Sequence, residues 1–165
     1  MNLRMDEIET PIGNLRLVAA GDALCAVAFV DRWSGLEEDL RRRFAGAPLR
    51  RERNPGGASK CLEAYFAGEL LALDGLRVDT GGTPFQRKVW SALRDIGVGR
   101  TASYSEVAKA VGSPSAVRAV GAANGANPIP IVIPCHRVIG TDGSLCGYGG
   151  GLERKRWLLS HEAQH

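Results

Sequence analysis

Ser103-Tyr104-Ser105-Glu106-Val107-Ala108-Lys109-Ala110-Val111-Gly112-Ser113-Pro114-Ser115-Ala116-Val117-Arg118-Ala119-Val120-Gly121-Ala122-Ala123 reads as two short helices joined by a tight turn. Ser103 with Glu106 three residues on forms a capping box, so a helix runs from about Tyr104 to Val111, where Gly112 stops it. Ser113-Pro114 then opens a second helix, from Pro114 to about Ala123. Two short helices across a glycine turn are the pattern of a helix-turn-helix.

The second helix has an unusual surface. Ser115, Ala116, Ala119, Gly121, Ala122 and Ala123 are small, which leaves Arg118 as its one long polar side chain. Small residues permit close approach to another backbone, and either a neighbouring helix or a narrow DNA groove meets that description. Arg118 tilts the reading toward DNA, because one guanidinium on a smooth helix can enter a groove or fill a vacated base stack. The Arg, Asn and Gln cluster that major-groove base readout needs is missing.

Upstream, Thr80-Gly81-Gly82 precedes Thr83-Pro84-Phe85-Gln86, which supplies an N-cap, a proline at N1 and a glutamine at N3. A domain boundary is expected here, dividing the chain into residues 1–80 and 81–165. Phe85, Val89, Leu93 and Ile96 then fall at helical spacing over 84–96.

The first eighty residues read as α/β. Leu15, Leu17 and Ala19 alternate, as do Leu24, Ala26, Ala28 and Val30, with turns at Gly13-Asn14 and Gly21-Asp22, so residues 5–30 form a strand meander. Ser34 and Glu37 suggest a second capping box, opening a helix with Leu36, Leu40 and Phe44 inside and Arg41-Arg42-Arg43 outside. Ala47 to Gly57 reads as an exposed loop, Ala58 to Ala67 as a helix, and Leu71, Leu73, Leu76 and Val78 as an extended segment.

Downstream lies the chemistry. In Ile131-Val132-Ile133-Pro134-Cys135-His136-Arg137-Val138 a thiol stands beside an imidazole and a guanidinium. Such a setting favours thiolate and marks a nucleophile. The short apolar run before it suggests a buried strand delivering Cys135 to a pocket floor. The other cysteines, Cys25, Cys61 and Cys146, stand far apart, and there is no C-x-x-C pair. Neither a metal site nor a disulfide framework is expected.

Composition narrows the class. The 165 residues are 44% apolar, with no apolar run near the roughly 18 residues needed to cross a bilayer. The first residues carry acids and lack an apolar signal core, so a cytoplasmic chain without membrane association is expected. Residues 1–80 hold 11 Lys and Arg against 13 Asp and Glu, a net −2, and residues 81–165 hold 10 against 5, a net +5. Any polyanion-binding surface is therefore expected in the second half, alongside Cys135.

The set Asn127-Pro128, Ile133-Pro134-Cys135-His136-Arg137-Val138 and Gly147-Tyr148-Gly149-Gly150-Gly151-Leu152, collinear over residues 83–162, resembles the O6-alkylguanine-DNA alkyltransferases. A weaker likeness extends to Ala64-Tyr65-Phe66-Ala67-Gly68 and Thr10-Pro11-Ile12-Gly13. The resemblance implies an N-terminal ribonuclease H-like α/β domain and a C-terminal winged-helix domain whose recognition helix enters the minor groove of double-stranded DNA with little sequence preference. It also implies single-turnover transfer of the alkyl group from O6-alkylguanine, and from O4-alkylthymine, flipped out of the duplex, with no cofactor and with the protein a monomer.

By the same resemblance Cys135 is the alkyl acceptor, and His136 removes its proton through a water while Glu162 orients the imidazole. Tyr104 serves guanine N3, and Arg118 occupies the hole left by the base, with Ser115, Ala116, Ala119, Gly121 and Ala122 lining the groove contact. Asn127 ties the recognition segment to the active-site segment. Pro134, the backbone around Val138, Tyr148, Gly149 and Gly150 shape the base pocket. Some relatives carry serine where this chain has Gly149, so a roomier pocket is expected.

Three rivals remain. A lesion-binding protein of the same fold without a nucleophile is opposed by Cys135. A Cys-His hydrolase is opposed by the adjacency of its two residues, since strand neighbours point to opposite faces. A winged-helix regulator is opposed by the featureless recognition helix.

Overall fold

The computed structural model describes residues 2–163, and the chain divides into two compact units, Met1–Thr80 and Gly81–His165. The first is built on a four-stranded sheet of β1 (Leu3–Ile8), β2 (Leu15–Ala20), β3 (Ala23–Phe29) and β4 (Leu49–Arg51) in the order β3-β2-β1-β4. β1 pairs antiparallel with β2 from Leu3 opposite Ala20 to Ile8 opposite Leu15, β2 pairs antiparallel with β3, and β4 runs parallel to β1. Helix α1 (Trp33–Arg43) buries Trp33 and Leu40 against Leu3, Val18, Ala20, Cys25, Ala26 and Ala28. Helix α2 (Ala58–Phe66) buries Leu62 and Tyr65.

Four expectations for this unit change. Ser34 does not cap α1, because a 3-10 turn over Val30–Arg32 runs straight into the helix and leaves Ser34 inside its first turn. Arg43 folds inward, donating from Nη1 to the Cys25 carbonyl at 3.2 Å and from Nη2 to that of Asp79 at 3.0 Å, while Arg41 and Arg42 stay outside. The Ala47–Gly57 stretch supplies β4 and a buried Pro55, since a parallel edge strand needs few inward apolar residues to pair. Residues 70–75 are turns with Leu71 exposed, and only Val78 bridges to Leu24.

The second unit is mainly helical: α3 (Pro84–Arg94), α4 (Tyr104–Ala110), α5 (Val117–Gly125) and α6 (Leu152–Ala163), with β5 (Ala102–Ser103) parallel to β6 (Val138–Ile139). Both capping boxes close. Gln86 N donates to Thr83 Oγ1 at 3.1 Å and Thr83 N to Gln86 Oε1 at 2.9 Å, and Ser103 and Glu106 exchange the same pair at 3.0 Å each. Each cap contributes about 1 kcal/mol. Helices α3, α4 and α5 pack on one another through fully buried Val89, Leu93, Ala108 and Val120, where each large apolar side chain is worth about 1.5–3 kcal/mol.

Helix α5 starts three residues later than its sequence suggests. Gly112 takes φ +79° and ends α4, with Ser113 N donating to the Ala108 carbonyl at 2.9 Å. A closed turn from Ser113 to Ala116 follows, so Pro114, Ser115 and Ala116 precede the first helical residue, Val117.

Candidate active site and nucleic-acid interface

Cys135 sits in a 3-10 turn, Cys135–Arg137, and not on a strand. Pro128, Pro130 and Pro134 have no N–H to donate, and the run between them forms an isolated bridge of Pro130 with Ile133 rather than a continuous strand. Asn127 shapes it instead: its Nδ2 donates to the Ile133 carbonyl at 2.8 Å, and its Oδ1 accepts from Ile129 N at 2.9 Å. Ile131 is held at φ +75°, a strained conformation for a β-branched residue, at 1% exposure. Rigid turns clipped by an amide thus deliver the thiol.

The thiol is protonated at rest. Burial pushes Cys135 up from its ordinary 9.0 to about 11, and the nearby Asn127 amide and Lys155 ammonium only partly oppose this. The positive neighbours that suggested thiolate point elsewhere. Arg137 donates through Nε to Glu162 Oε1 at 2.8 Å, through Nη2 to Glu162 Oε2 at 3.0 Å and through Nη1 to the Ile96 carbonyl at 2.6 Å.

His136 is wholly buried, and its Nε2 lies 2.7 Å from Glu162 Oε2. A carboxylate held by a guanidinium accepts, so Nε2 carries the hydrogen and Nδ1 keeps a lone pair. That Nδ1 is buried with no hydrogen-bond partner among the described residues. Burial lowers the His136 pKa from 6.5, with Glu162 opposing, so the ring is neutral near pH 7. Helix α6 brings Glu162 to this place at 2% exposure, packing against the Cys135–Arg137 turn.

Tyr104 is half-buried at the first turn of α4, and its hydroxyl donates to the Cys146 carbonyl at 3.1 Å. Burial and the thiols of Cys146 and Cys135 raise its pKa. Val138 and Pro134 are buried. The Tyr148 hydroxyl is buried without a partner among the described residues, while Gly149 is exposed with open space where a Cβ would stand. Gly150 is half-buried beside it, its carbonyl accepting from Arg154 Nη1 at 3.1 Å.

Three residues escaped the sequence reading. Arg137 was read only as a positive neighbour of the thiol. Lys155 is fully buried, its Nζ donating to the carbonyls of Val138 at 2.6 Å, Cys146 at 3.1 Å and Gly147 at 3.2 Å. Its run, Glu153-Arg154-Lys155-Arg156, looks solvated, yet Lys155, Leu158 and Glu162 share one helical face and all three are buried. Asn124, at 5% exposure, donates from Nδ2 to the Cys135 carbonyl at 3.4 Å. Among the described residues no three His, Cys, Asp or Glu side chains are grouped to hold a metal ion, and no helix is long and apolar enough to cross a membrane.

Comparison with known proteins accounts for this arrangement. Residues 3–80 match the family description "6-O-methylguanine DNA methyltransferase, ribonuclease-like domain", and residues 84–164 match "6-O-methylguanine DNA methyltransferase, DNA binding domain". The chain belongs to the 6-O-methylguanine DNA methyltransferase family. It pairs a mixed α/β N-terminal domain with a helical C-terminal DNA-binding domain, as that family does. It is 48% identical over 165 residues to the methylated-DNA--protein-cysteine methyltransferase of Salmonella typhimurium, covering 98% of this chain and 96% of the relative. The crystal structure of the Mycobacterium tuberculosis O6-methylguanine methyltransferase superposes with a TM-score of 0.82 at 42% identity, covering 98% and 93% of the two chains. The M. tuberculosis OGT in complex with DNA gives 0.82 at 42% identity, with 99% and 94% covered.

In this member of the family the outward surface of α5 presents Arg118, Ala119 and Ala122, all exposed, with Ser115 exposed and Ala116 half-buried in the preceding turn. Gly121 is half-buried on the same helix, and a Cβ there would meet the Tyr104 ring at an ordinary 3.9 Å. Val120, Ala123 and Asn124 face inward, and Trp90 Nε1 donates to the Ala123 carbonyl at 2.8 Å.

Proposed function

We propose that this chain repairs DNA by moving the alkyl group of O6-alkylguanine, and of O4-alkylthymine, directly and irreversibly onto Cys135 Sγ. The observation that carries the reading is the buried series Cys135, His136, Glu162 and Arg137, ending in an imidazole nitrogen free to accept a proton. A thiol at about 11 costs about 5 kcal/mol to ionise at pH 7, so the thiolate forms only as its proton leaves. The proton passes through a water to His136 Nδ1, and the Glu162 carboxylate stabilises the imidazolium that results.

The sulfur then attacks the alkyl carbon. A C–S bond forms, the C–O6 bond breaks, and its electron pair leaves with the guanine. The developing negative charge is met at N3 by the Tyr104 hydroxyl, which turns from the Cys146 carbonyl. The products are an S-alkylcysteine and an unmodified base, and because the thioether is a poor leaving group the protein acts once.

A base inside a duplex cannot reach a buried thiol, so it must be flipped out. Arg118, Ala119 and Ala122 on α5, together with Ser115 and Ala116 in the turn before it, contact the minor groove, and Arg118 fills the vacated stack. Asn127 and Pro134 hold the pocket floor, and Val138, Tyr148, Gly149 and Gly150 form its walls. We read residues 1–80 as a ribonuclease H-like domain and 81–165 as a winged-helix domain, acting as a cytoplasmic monomer.

Incubation with a duplex bearing O6-methylguanine, followed by intact mass and peptide mapping, tests this. One methyl per chain on Cys135, absent in Cys135→Ala, is the expected result. Binding without mass gain would overturn it in favour of lesion recognition alone.

A further inference from the structure

Lys155 carries a charge into the interior of the second unit at 0% exposure. The three hydrogens of its ammonium go to three backbone carbonyls, Val138 at 2.6 Å, Cys146 at 3.1 Å and Gly147 at 3.2 Å. Stripping an ammonium of water is costly, and a methionine of similar shape would fill the same space without that cost. What the charge does is seen at its partners.

The Cys146 carbonyl has a second donor. The Tyr104 hydroxyl reaches the same oxygen at 3.1 Å, so one acceptor holds both the buried ammonium and the half-buried phenol. Gly147, at φ +63°, lies against that hydroxyl, since a Cβ there would stand 3.7 Å from it. In the alkyl-transfer reading Tyr104 must give up this bond in order to donate to N3 of the flipped base, at the moment when base and duplex exclude water from the site. A carbonyl with a single donor would then be left unpaired, and an acceptor buried without a partner opposes the turn. The Cys146 oxygen accepts at two positions, and its charge-assisted bond from an ammonium is the stronger of the two.

Resting on the alkyl-transfer reading above, we propose that Lys155 is a positioning residue for Tyr104: its ammonium keeps the Cys146 carbonyl paired while the Tyr104 hydroxyl turns to N3 of the leaving base. Without Lys155 the hydroxyl is held on the carbonyl. The loss then falls only on a base that has an N3 to accept from, which a general loosening of the site would not produce.

The experiment measures single-turnover methyl transfer to Cys135 from two otherwise identical duplexes carrying O6-methylguanine or O6-methyl-3-deazaguanine, in which a C–H replaces N3. The unaltered chain, Tyr104→Phe, Lys155→Met and the double variant are compared, each checked for cooperative unfolding. The unaltered chain should react about tenfold or more faster with the guanine adduct, a difference of about 1.4 kcal/mol. Lys155→Met should lose about tenfold or more on the guanine adduct and less than about threefold on the 3-deaza adduct. In the Tyr104→Phe background the same substitution should cost less than about threefold on either, because residues that act as a unit are not additive.

Equal losses on the two adducts in Lys155→Met would overturn the proposal, since the lysine would then only hold the fold. So would a loss that persists undiminished in the double variant. Should no Lys155 variant fold, Tyr104→Phe alone decides: with Lys155 still on the carbonyl its urea midpoint should stay within about 0.3 M of the unaltered chain, and a drop of about 1 M or more would show that Lys155 does not keep that oxygen paired. Methylation of Cys135 from neither duplex in the unaltered chain would instead overturn the alkyl-transfer reading.

Discussion

Replacing Glu162 with glutamine preserves volume and removes one charge, and its consequences follow from three hydrogen bonds. Arg137 Nε and Nη2 donate to Oε1 and Oε2 at 2.8 and 3.0 Å, and His136 Nε2 lies 2.7 Å from Oε2. A glutamine offers one oxygen. With that oxygen on Arg137, its amide hydrogens face His136 Nε2, which must then accept and shift the ring hydrogen to Nδ1. The nitrogen meant to take the thiol proton becomes a donor. Comparable wrong-tautomer substitutions in other catalytic systems cost about 10⁴ in rate. The guanidinium, at 9% side-chain exposure, also loses its counter-charge, and breaking a buried ion pair costs about 3–5 kcal/mol.

Two assays read these effects separately: single-turnover transfer from an O6-methylguanine duplex, and urea unfolding of the whole chain. Glu162→Gln should lose about 10³–10⁴ in transfer rate and about 3 kcal/mol or more in stability. Adding Arg137→Met removes the stranded charge and should recover part of the stability but none of the rate. A folded Glu162→Gln that transfers within tenfold of the unaltered chain would refute the relay from Cys135 to His136. A stability loss below about 1 kcal/mol would refute the pairing with Arg137.

Further outcomes follow from other parts of the site. Arg118→Ala should slow transfer from duplex DNA at least tenfold while leaving reaction with the free base O6-benzylguanine unchanged, because only the duplex requires a base to be flipped; equal losses on both would remove Arg118 from that role. Gly149 has open space beside it, so benzyl adducts should react at least as fast as methyl adducts on duplex DNA and Gly149→Ser should narrow that tolerance, whereas a strict methyl preference in the unaltered chain contradicts the roomier pocket. Cys135 is raised from 9.0 to about 11, so its buried thiol contributes stability fully present below pH 9 and lost as pH rises toward 11. This amounts to about 2.7 kcal/mol and should appear as the difference in unfolding free energy between the chain and Cys135→Ala over that interval. His136 is depressed below 6.5, so its contribution is present above that pH and lost as pH falls through its folded value, and the transfer rate should fall with it as the base is protonated.

Local rules carried the reading wherever a signal and its partner lie within one turn of chain. The boxes at Thr83/Gln86 and Ser103/Glu106 close because cap and partner are three residues apart on a backbone that already turns. The meander expected over residues 5–30 and found from Leu3 to Phe29 was legible because alternation and glycine turns agree. Ser34/Glu37 matched the same rule and failed, since the preceding 3-10 turn had already started the helix. The Pro-bounded run before Cys135 looked like a strand because apolar composition does not count donors. Three prolines and the Asn127 amide make it a set of turns.

From the sequence alone came the two-part organisation, the family resemblance and the cysteine proposed as reactive, because these depend on residue types in order. The state of that cysteine did not, since protonation depends on what surrounds the sulfur in space. A basic dipeptide beside it suggested a thiolate, yet Arg137 turns its charge onto Glu162, 25 residues away in the chain, and burial keeps the thiol protonated. Lys155 and Asn124 likewise look like ordinary surface and helix residues until α6 and α5 carry them inward. Packing alone decides which charges meet, which are shielded from water and which buried polar atoms are left without a partner.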